Sequence, residues 1–301
     1  MKNILALLFM LSFLTACLDD TQVTSPIDSN STNGSDDNGS DDNGDNNGGD
    51  DGNDGGNGNP PTGDMVNLDC SNQGNIVGNR FDLDAKKYIL CLHNKFRSDT
   101  AKGNVPAYGG NLPMATNMQA LSWDSTLEQV AQNYANQCQW QHNDNRTDDF
   151  VALNGNPEIT YVGENIAFYA STNNPMSMIR VQEMFDAMAT GEAINWSFGT
   201  IGNTEYCDQG QCGHATQMFW ANTQFVGCAI THCDPTMVPN PEFPFTDIYM
   251  VCNYGQSGNY QNQTPYVQAL SEGAICSDNR SNTQTECTEG LTHANNYDDG
   301  L

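Results

Sequence analysis

The chain has 301 residues, of which 16% are charged, and a formal net charge of −27 at pH 7. An acid excess of this size disfavours nucleic acid and anionic lipid head groups as partners, because the surface repels both. The excess has two parts: thirteen aspartates lie between Asp19 and Asp69, whereas from Arg80 onward 24 acids stand against 9 bases, so the body carries about −15.

Residues 1–16 decide the compartment. Lys2 supplies a basic start, Ile4 to Leu14 an apolar run too short to span a bilayer as a mature helix, and Leu14-Thr15-Ala16-Cys17 ends it with small residues before a cysteine. The pattern reads as a bacterial lipoprotein signal, with cleavage before Cys17 and acylation of its thiol, so that lipid tails hold the chain to a membrane. Leu18, rather than an aspartate, follows the cysteine. That points to an outer-membrane lipoprotein facing the periplasm or the exterior. Residues 17–66 are Asp, Asn, Gly, Ser and Thr with few apolar side chains, which cannot bury enough surface to offset the entropy of ordering. They read as a flexible spacer with a coil reach of about 40 Å. Calcium-loaded repeats are the alternative, but the segment has neither a nonapeptide period nor an Asp-rich loop closed by glutamate.

Residues 67–270 have the size of one domain. Tyr88, Ile89, Leu92 and Phe96 form a helical stripe over 84–98. Residues 101–121, with Gly109-Gly110 and Pro113, read as a loop. A second helix begins at Trp123-Asp124-Ser125, with Ser125 and Glu128 spaced as a capping box and Leu127, Val130, Ala131 and Tyr134 on one face. A third follows Asn174-Pro175 and carries Met178, Val181, Met184, Phe185 and Met188. Met218-Phe219-Trp220, Phe225 to Ile230 and Ile248 to Cys252 read as strands. Strands gathered after helices give an α+β domain in which helices cover an antiparallel sheet. Residues 271–301 form a polar tail with Cys276 and Cys287, too poor in apolar residues for a core.

Apart from Cys17, ten cysteines remain, an even number that in an exported chain argues for up to five disulfides. No Cys-x-x-Cys pair is present, which argues against a zinc ribbon. Among five histidines, His142 follows the second helix and His214 follows Cys212-Gly213, while Glu164 sits between small and apolar residues. Two imidazoles and a carboxylate are enough for a three-ligand metal site with an open position, and equally for structural histidines with satisfied hydrogen bonds. Spacing alone leaves both readings open.

Five segments in order carry a resemblance: Leu92 to Arg97, Ala131 to Gln137, Gly163-Glu164-Asn165-Ile166-Ala167, Cys212 to Trp220, and Val251 to Tyr260. Together the chain resembles the CAP superfamily of cysteine-rich secretory proteins, antigen 5 and pathogenesis-related 1 proteins, from about Tyr88 to Tyr266. The resemblance implies a disulfide-stabilised α-β-α sandwich of helices around a central antiparallel sheet. It implies a cleft lined by two histidines and two acids, and carries over to His142, His214 and Glu164. The second acid falls at Ala187, after Met184-Phe185-Asp186, so the chain is expected to be one carboxylate short. Ala215 replaces the aromatic residue common after the histidine. The resemblance also implies pairs Cys138–Cys212 and Cys228–Cys252.

These readings make the protein a non-catalytic binding module. Its expected partners are a lipid or sterol-like ligand, with Trp220 and Phe225 as the apolar contact, or a cell-surface protein. A divalent cation, zinc foremost, is expected at His142, Glu164 and His214. Two alternatives stand beside this: a hydrolase in which Thr216 and His214 form a nucleophilic pair, although no Gly-x-Ser-x-Gly turn is present, and a structural or adhesive surface protein. Asn94 and Arg97 are expected to satisfy backbone groups near the core.

Overall fold

Asp82 starts the first helix. Its carboxylate accepts the Ala85 N–H at 2.8 Å, satisfying one of the donors that every helix leaves unpaired at its N-terminus. Helix α1 then runs over Leu83–Ala101, and the stripe at Tyr88, Ile89, Leu92 and Phe96 is buried as expected. The computed structural model describes Val66 and residues 68–171, 176–202, 207–233, 246–269 and 299–301, with backbone alone at 275–277 and 284–286. Cys17, the acidic spacer, Cys287 and His293 lie outside the described residues.

The stretch expected to be a loop contains a small hairpin, β1 Pro106–Ala107 and β2 Gly110–Asn111, followed by β3 Ser122–Trp123. Helix α2 spans Ser125–Ala135, and its cap is Asp124, not the Ser125–Glu128 box: Asp124 Oδ1 accepts Thr126 N and Leu127 N, each at 2.8 Å. Glu128 is engaged elsewhere, accepting Trp123 Nε1 at 2.9 Å and pairing with Lys86 Nζ at 2.7 Å. Next come α3 Arg146–Ala152, β4 Val162–Ser171, α4 Met178–Met188, α5 Thr190–Ala193, α6 Gly213–Met218, β5 Phe225–Cys233 and β6 Thr246–Gly255. In the tail, β7 Ile275–Ser277 pairs with β8 Gln284–Glu286.

Met218-Phe219-Trp220 is the end of α6 and a turn rather than a strand. Phe219 N–H donates to Ala215 O at 3.1 Å and Trp220 N–H to Gln217 O at 3.2 Å, so the run continues the helix into a turn. The buried Arg97 guanidinium holds that turn: it donates to the carbonyls of Met218 and Trp220 at 2.8 Å each, to Thr223 O at 3.3 Å and to Gln119 O at 2.7 Å.

The main sheet has the order β3-β5-β6-β4, with β4 at its edge. β5, β6 and β4 are antiparallel, and the short β3 joins β5 in parallel, a departure from the all-antiparallel expectation. Alternating residues bury opposite faces. Val226, Cys228, Ile230, Met250, Cys252 and Tyr254 pack with α1, α4 and α6, while Ala229, Tyr249, Val251 and Ile166 pack with Ala131 and Tyr134 of α2. This is the α-β-α sandwich. Helix α2 lies so close that a Cβ on Gly227 would stand 2.2 Å from Glu128 N, so only glycine fits there.

Four disulfides hold the described residues: Cys70–Cys91, Cys138–Cys233, Cys207–Cys212 and Cys228–Cys252. The pair Cys228–Cys252 is as the resemblance implied. The pair Cys138–Cys212 is not formed, because Cys138 leaves α2 beside the end of β5 and Cys212 closes a short loop with Cys207. The chain's end also departs from a structureless tail: Trp123 N–H donates to Asp299 O at 2.7 Å, and Leu301 packs against the main core.

Candidate functional site at the edge of the sheet

His142 is placed by the loop that leaves α2. Cys138–Cys233 ties the loop's start to β5. Tyr134 OH donates to Gln141 O at 2.7 Å and Tyr249 OH to Gln139 O at 2.9 Å. Burial, reinforced by the Glu164 charge, pushes both phenols well above their ordinary range, so both stay protonated as donors. On β4, Glu164 Oε1 accepts from His142 Nδ1 and from Asn143 N, each at 2.9 Å. The Glu164 side chain is wholly shielded from solvent, and its Oε2 has no hydrogen-bond partner among the described residues.

His214 is the second residue of α6. Its backbone N–H donates to Glu192 Oε2 at 3.0 Å, and its Nδ1 lies 2.6 Å from Glu192 Oε1. Glu192 is therefore the second acid, and the chain is not short of a carboxylate. Ala187 sits on α4 where the resemblance placed that acid, but α4 ends at Met188 and Ala189 breaks the helix with ψ of −95°. The chain turns into α5, which carries Glu192 to the imidazole. The signal missed was Ala189-Thr190-Gly191, a weak helix stretch in which α4 gives way to a new direction.

The two pairs bracket one strand. Glu164 and Asn165 are consecutive on β4, so their side chains leave opposite faces of the sheet. Glu164 holds His142 on one side; Asn165 Nδ2 donates to His214 O at 3.1 Å and to Tyr254 OH at 3.1 Å on the other. Gly163 allows this crowding: a Cβ there would meet Gln217 Oε1 at 2.2 Å.

In each pair an Nδ1–H directed at the carboxylate defines the tautomer whose lone pair is on Nε2, the one that binds metals in carboxylate-oriented sites. Glu164 is thereby an orienting group rather than the third ligand expected of it, since Oε1 is spent on His142 and Asn143 and the side chain is fully covered. Among the described residues, the group of three potential ligand atoms lying within 4.8 Å of one another is His93, Cys228 and Cys252. It is no metal centre, because the two sulfurs are bonded to each other and both His93 nitrogens are engaged, Nδ1 with Ile89 O at 2.8 Å and Nε2 with Tyr254 OH at 3.0 Å. A carbonyl only accepts, so Nδ1 holds the proton and Tyr254 donates to Nε2. Burial, with the Arg97 charge adding to it, pushes the His93 imidazole down to about 4, although the Ile89 carbonyl works the other way.

Other sequence candidates are placed differently. Thr216 is buried, and its single hydroxyl proton is shared among Asn259 Oδ1 at 2.7 Å and the carbonyls of Cys212 and Gly213 at 3.1 Å each. That leaves it tied to the backbone rather than poised as a nucleophile. Trp220 is 1% exposed, with its ring against Tyr260, and so presents no face to a ligand. Phe225 is half-buried beside a cavity shared with Glu158, Gln224 and Gln256, a polar rather than an apolar setting. The exposed aromatic pair lies elsewhere: Trp140 and Phe168, 39% and 37% exposed, meet edge-to-face at 4.4 Å two residues from His142.

Comparison with known proteins agrees with this architecture. The chain is 34% identical over 185 residues to venom allergen 5.02 of Dolichovespula maculata, covering 61% of this chain and 76% of the relative. Among solved structures it is similar to NaASP2 with Zn2+, at 25% identity and a TM-score of 0.51, covering 64% of this chain and 89% of the other. It is also similar to Na-ASP-1, at 27% identity and a TM-score of 0.54, covering 75% of this chain and 49% of the other. The profile of the cysteine-rich secretory protein family matches residues 90–254, more than half of the sequence, from within α1 through both histidine pairs into β6, so the chain belongs to the CAP family.

Proposed function

We propose that this is an exported, lipid-anchored CAP-domain protein that binds rather than catalyses, and that its cleft takes up a divalent cation, zinc foremost, between His142 and His214. One observation carries the reading: each histidine has its Nδ1 fixed by a carboxylate, His142 by Glu164 at 2.9 Å and His214 by Glu192 at 2.6 Å. The donor set fits the ion, since two neutral imidazoles oriented from behind are borderline-soft nitrogen ligands. A bound ion supplies positive charge and open coordination positions for a ligand or a surface partner. The similar structure of NaASP2 is described with Zn2+, which supports the same ion here. Thr216, spent on backbone carbonyls, speaks against the hydrolase alternative.

Calorimetric titration of the whole chain with zinc chloride tests the site. The wild type is expected to bind one ion, His142→Ala and His214→Ala to lose it, and Glu192→Gln to bind about 10- to 100-fold more weakly, as for removal of an orienting carboxylate. Affinity unchanged in both histidine variants overturns the reading.

A second reading concerns the ligand. The exposed Trp140–Phe168 pair, not Trp220 with Phe225, offers the apolar contact for a lipid or sterol-like molecule. It lies on the same loop and strand as the His142–Glu164 pair.

A further inference from the structure

β4 is the last strand of its sheet, so one of its two rows of main-chain groups has no neighbouring strand. The register identifies that row. Asp124 N donates to Val226 O on the β3 side, so Phe225, Gly227 and Ala229 face β6 and pair with Gly255, Asn253 and Val251. In β6 the alternate residues Tyr254, Cys252 and Met250 then face β4 and pair with Gly163, Asn165 and Ala167. The outward row is Val162, Glu164, Ile166 and Phe168.

Val162 agrees with this assignment. Its N–H donates to Thr147 Oγ1 at 3.1 Å and its carbonyl accepts from Arg146 Nε at 2.7 Å, both on α3 and outside the sheet. Helix α3 thus caps one end of the row. Beyond it, the outward N–H and C=O of Glu164 and Ile166 have no hydrogen-bond partner among the described residues. A second observation concerns solvent. The Glu164 side chain is 0% exposed while the whole residue is 8% exposed, so the part of Glu164 that meets water is its main chain.

We propose that this row is a strand-addition site, where an extended peptide segment of a partner lies along β4 between the two histidine pairs and hydrogen-bonds Glu164 and Ile166. Donors and acceptors repeating at every second residue match an extended backbone; a helix keeps its own main-chain groups internal. The peptide enters from the Phe168 end, since α3 closes the other, and there Trp140 and Phe168 offer an apolar side-chain contact. The charge of the body, about −15, selects segments carrying lysine or arginine. The same charge disfavours a second copy of this chain, whose edge-to-edge pairing would bring two such bodies together.

The test uses the full chain in EDTA, so that its outcome is independent of the cation. Heptapeptides are selected from a phage-displayed library, and the tightest is synthesised with N-methyl groups on either of its two alternating sets of amides. Methylation of one set is expected to weaken binding at least tenfold and of the other set less than twofold. Hydrogen exchange at the Glu164 and Ile166 amides is expected to slow on peptide addition. Equal effects of the two methylated sets, unchanged exchange at both amides, or no peptide selected overturns the proposal. A concentration-dependent dimer whose formation protects the same two amides assigns the edge to a second copy and overturns the peptide as occupant.

Discussion

Two imidazoles in this protein are held by carboxylates and a third by a carbonyl and a phenol, and the difference in partners separates their roles. His142 and His214 each face an acid, on either side of β4. His93 is fully buried, with Arg97 on its own helix, Phe185 of α4 against its ring, the Cys228–Cys252 disulfide beside it and Tyr254 of β6 donating to it. No carboxylate touches it among the described residues, so only the neutral form suits the site. Its folded value of about 4 lies below the unfolded value near 6.5. Between those values the unfolded chain holds more protons, so stability falls as pH drops from about 6.5 to about 4, by on the order of 3 kcal/mol from this group. Denaturant titrations at pH 7 and pH 4.5 are expected to show that fall to be smaller in His93→Gln than in the wild type; equal losses in both argue against His93 as a source. His142, His214 and Glu164 were readable as candidates because each lies in a compact local motif. Glu192 was not, because the break at Ala189 redirects the chain, and helical spacing from Ala187 cannot foresee where a new one-turn helix points its acid.

At the level of elements, helices were the more legible. α2 and α4 show one apolar face each, since each covers a single side of the sheet, whereas α1 is buried all round from Tyr88 to Asn94 and its stripe is only part of what it buries. β4 escaped notice as a strand because both of its faces are covered: Gly163, Glu164 and Asn165 are as buried as Ile166, and polar residues spent on site geometry erase the alternation. Met218 to Trp220 misled for the opposite reason, since an apolar run shows no sign of the distant Arg97 that gathers its carbonyls. The loop from Cys138 to His142 is the element on which the apolar-ligand reading depends. Cys138–Cys233 and two tyrosine hydroxyls hold it, leaving Trp140 exposed on a fixed backbone. Titration with a fluorescent fatty acid is therefore expected to saturate in the wild type and in Trp220→Phe, and to weaken at least fivefold in Trp140→Ala. Equal affinity in Trp140→Ala, or no saturable binding, removes the aromatic pair as the contact.

For the molecule as a whole, sequence order gave the sandwich through five ordered motifs, but not the ends of the chain. The tail looked too polar to dock, yet three residues suffice: Asp299 accepts from Trp123 and Leu301 reaches the core. Export agrees with the four disulfides, each stabilising by roughly 2–4 kcal/mol when unstrained. The proposed anchoring rests on Cys17. Expressed in a bacterial host fed an alkyne fatty acid, the wild type is expected to carry the label and to partition with outer membranes, and Cys17→Ala to lose both; a labelled Cys17→Ala protein would place the acyl chain elsewhere.

In the lipid-anchored form proposed above, the Cys70–Cys91 bridge has a mechanical meaning. Shear on a body anchored through Cys17 would arrive as tension along the segment that precedes residue 70. Cys91 lies in the middle of α1, so tension that has passed Val66 and Leu68 meets a covalent bond into a buried helix before it can draw Ile76 and Phe81 from the core. Reduction of this one bridge carries the load on to those two side chains, converting a covalent attachment into one that yields residue by residue.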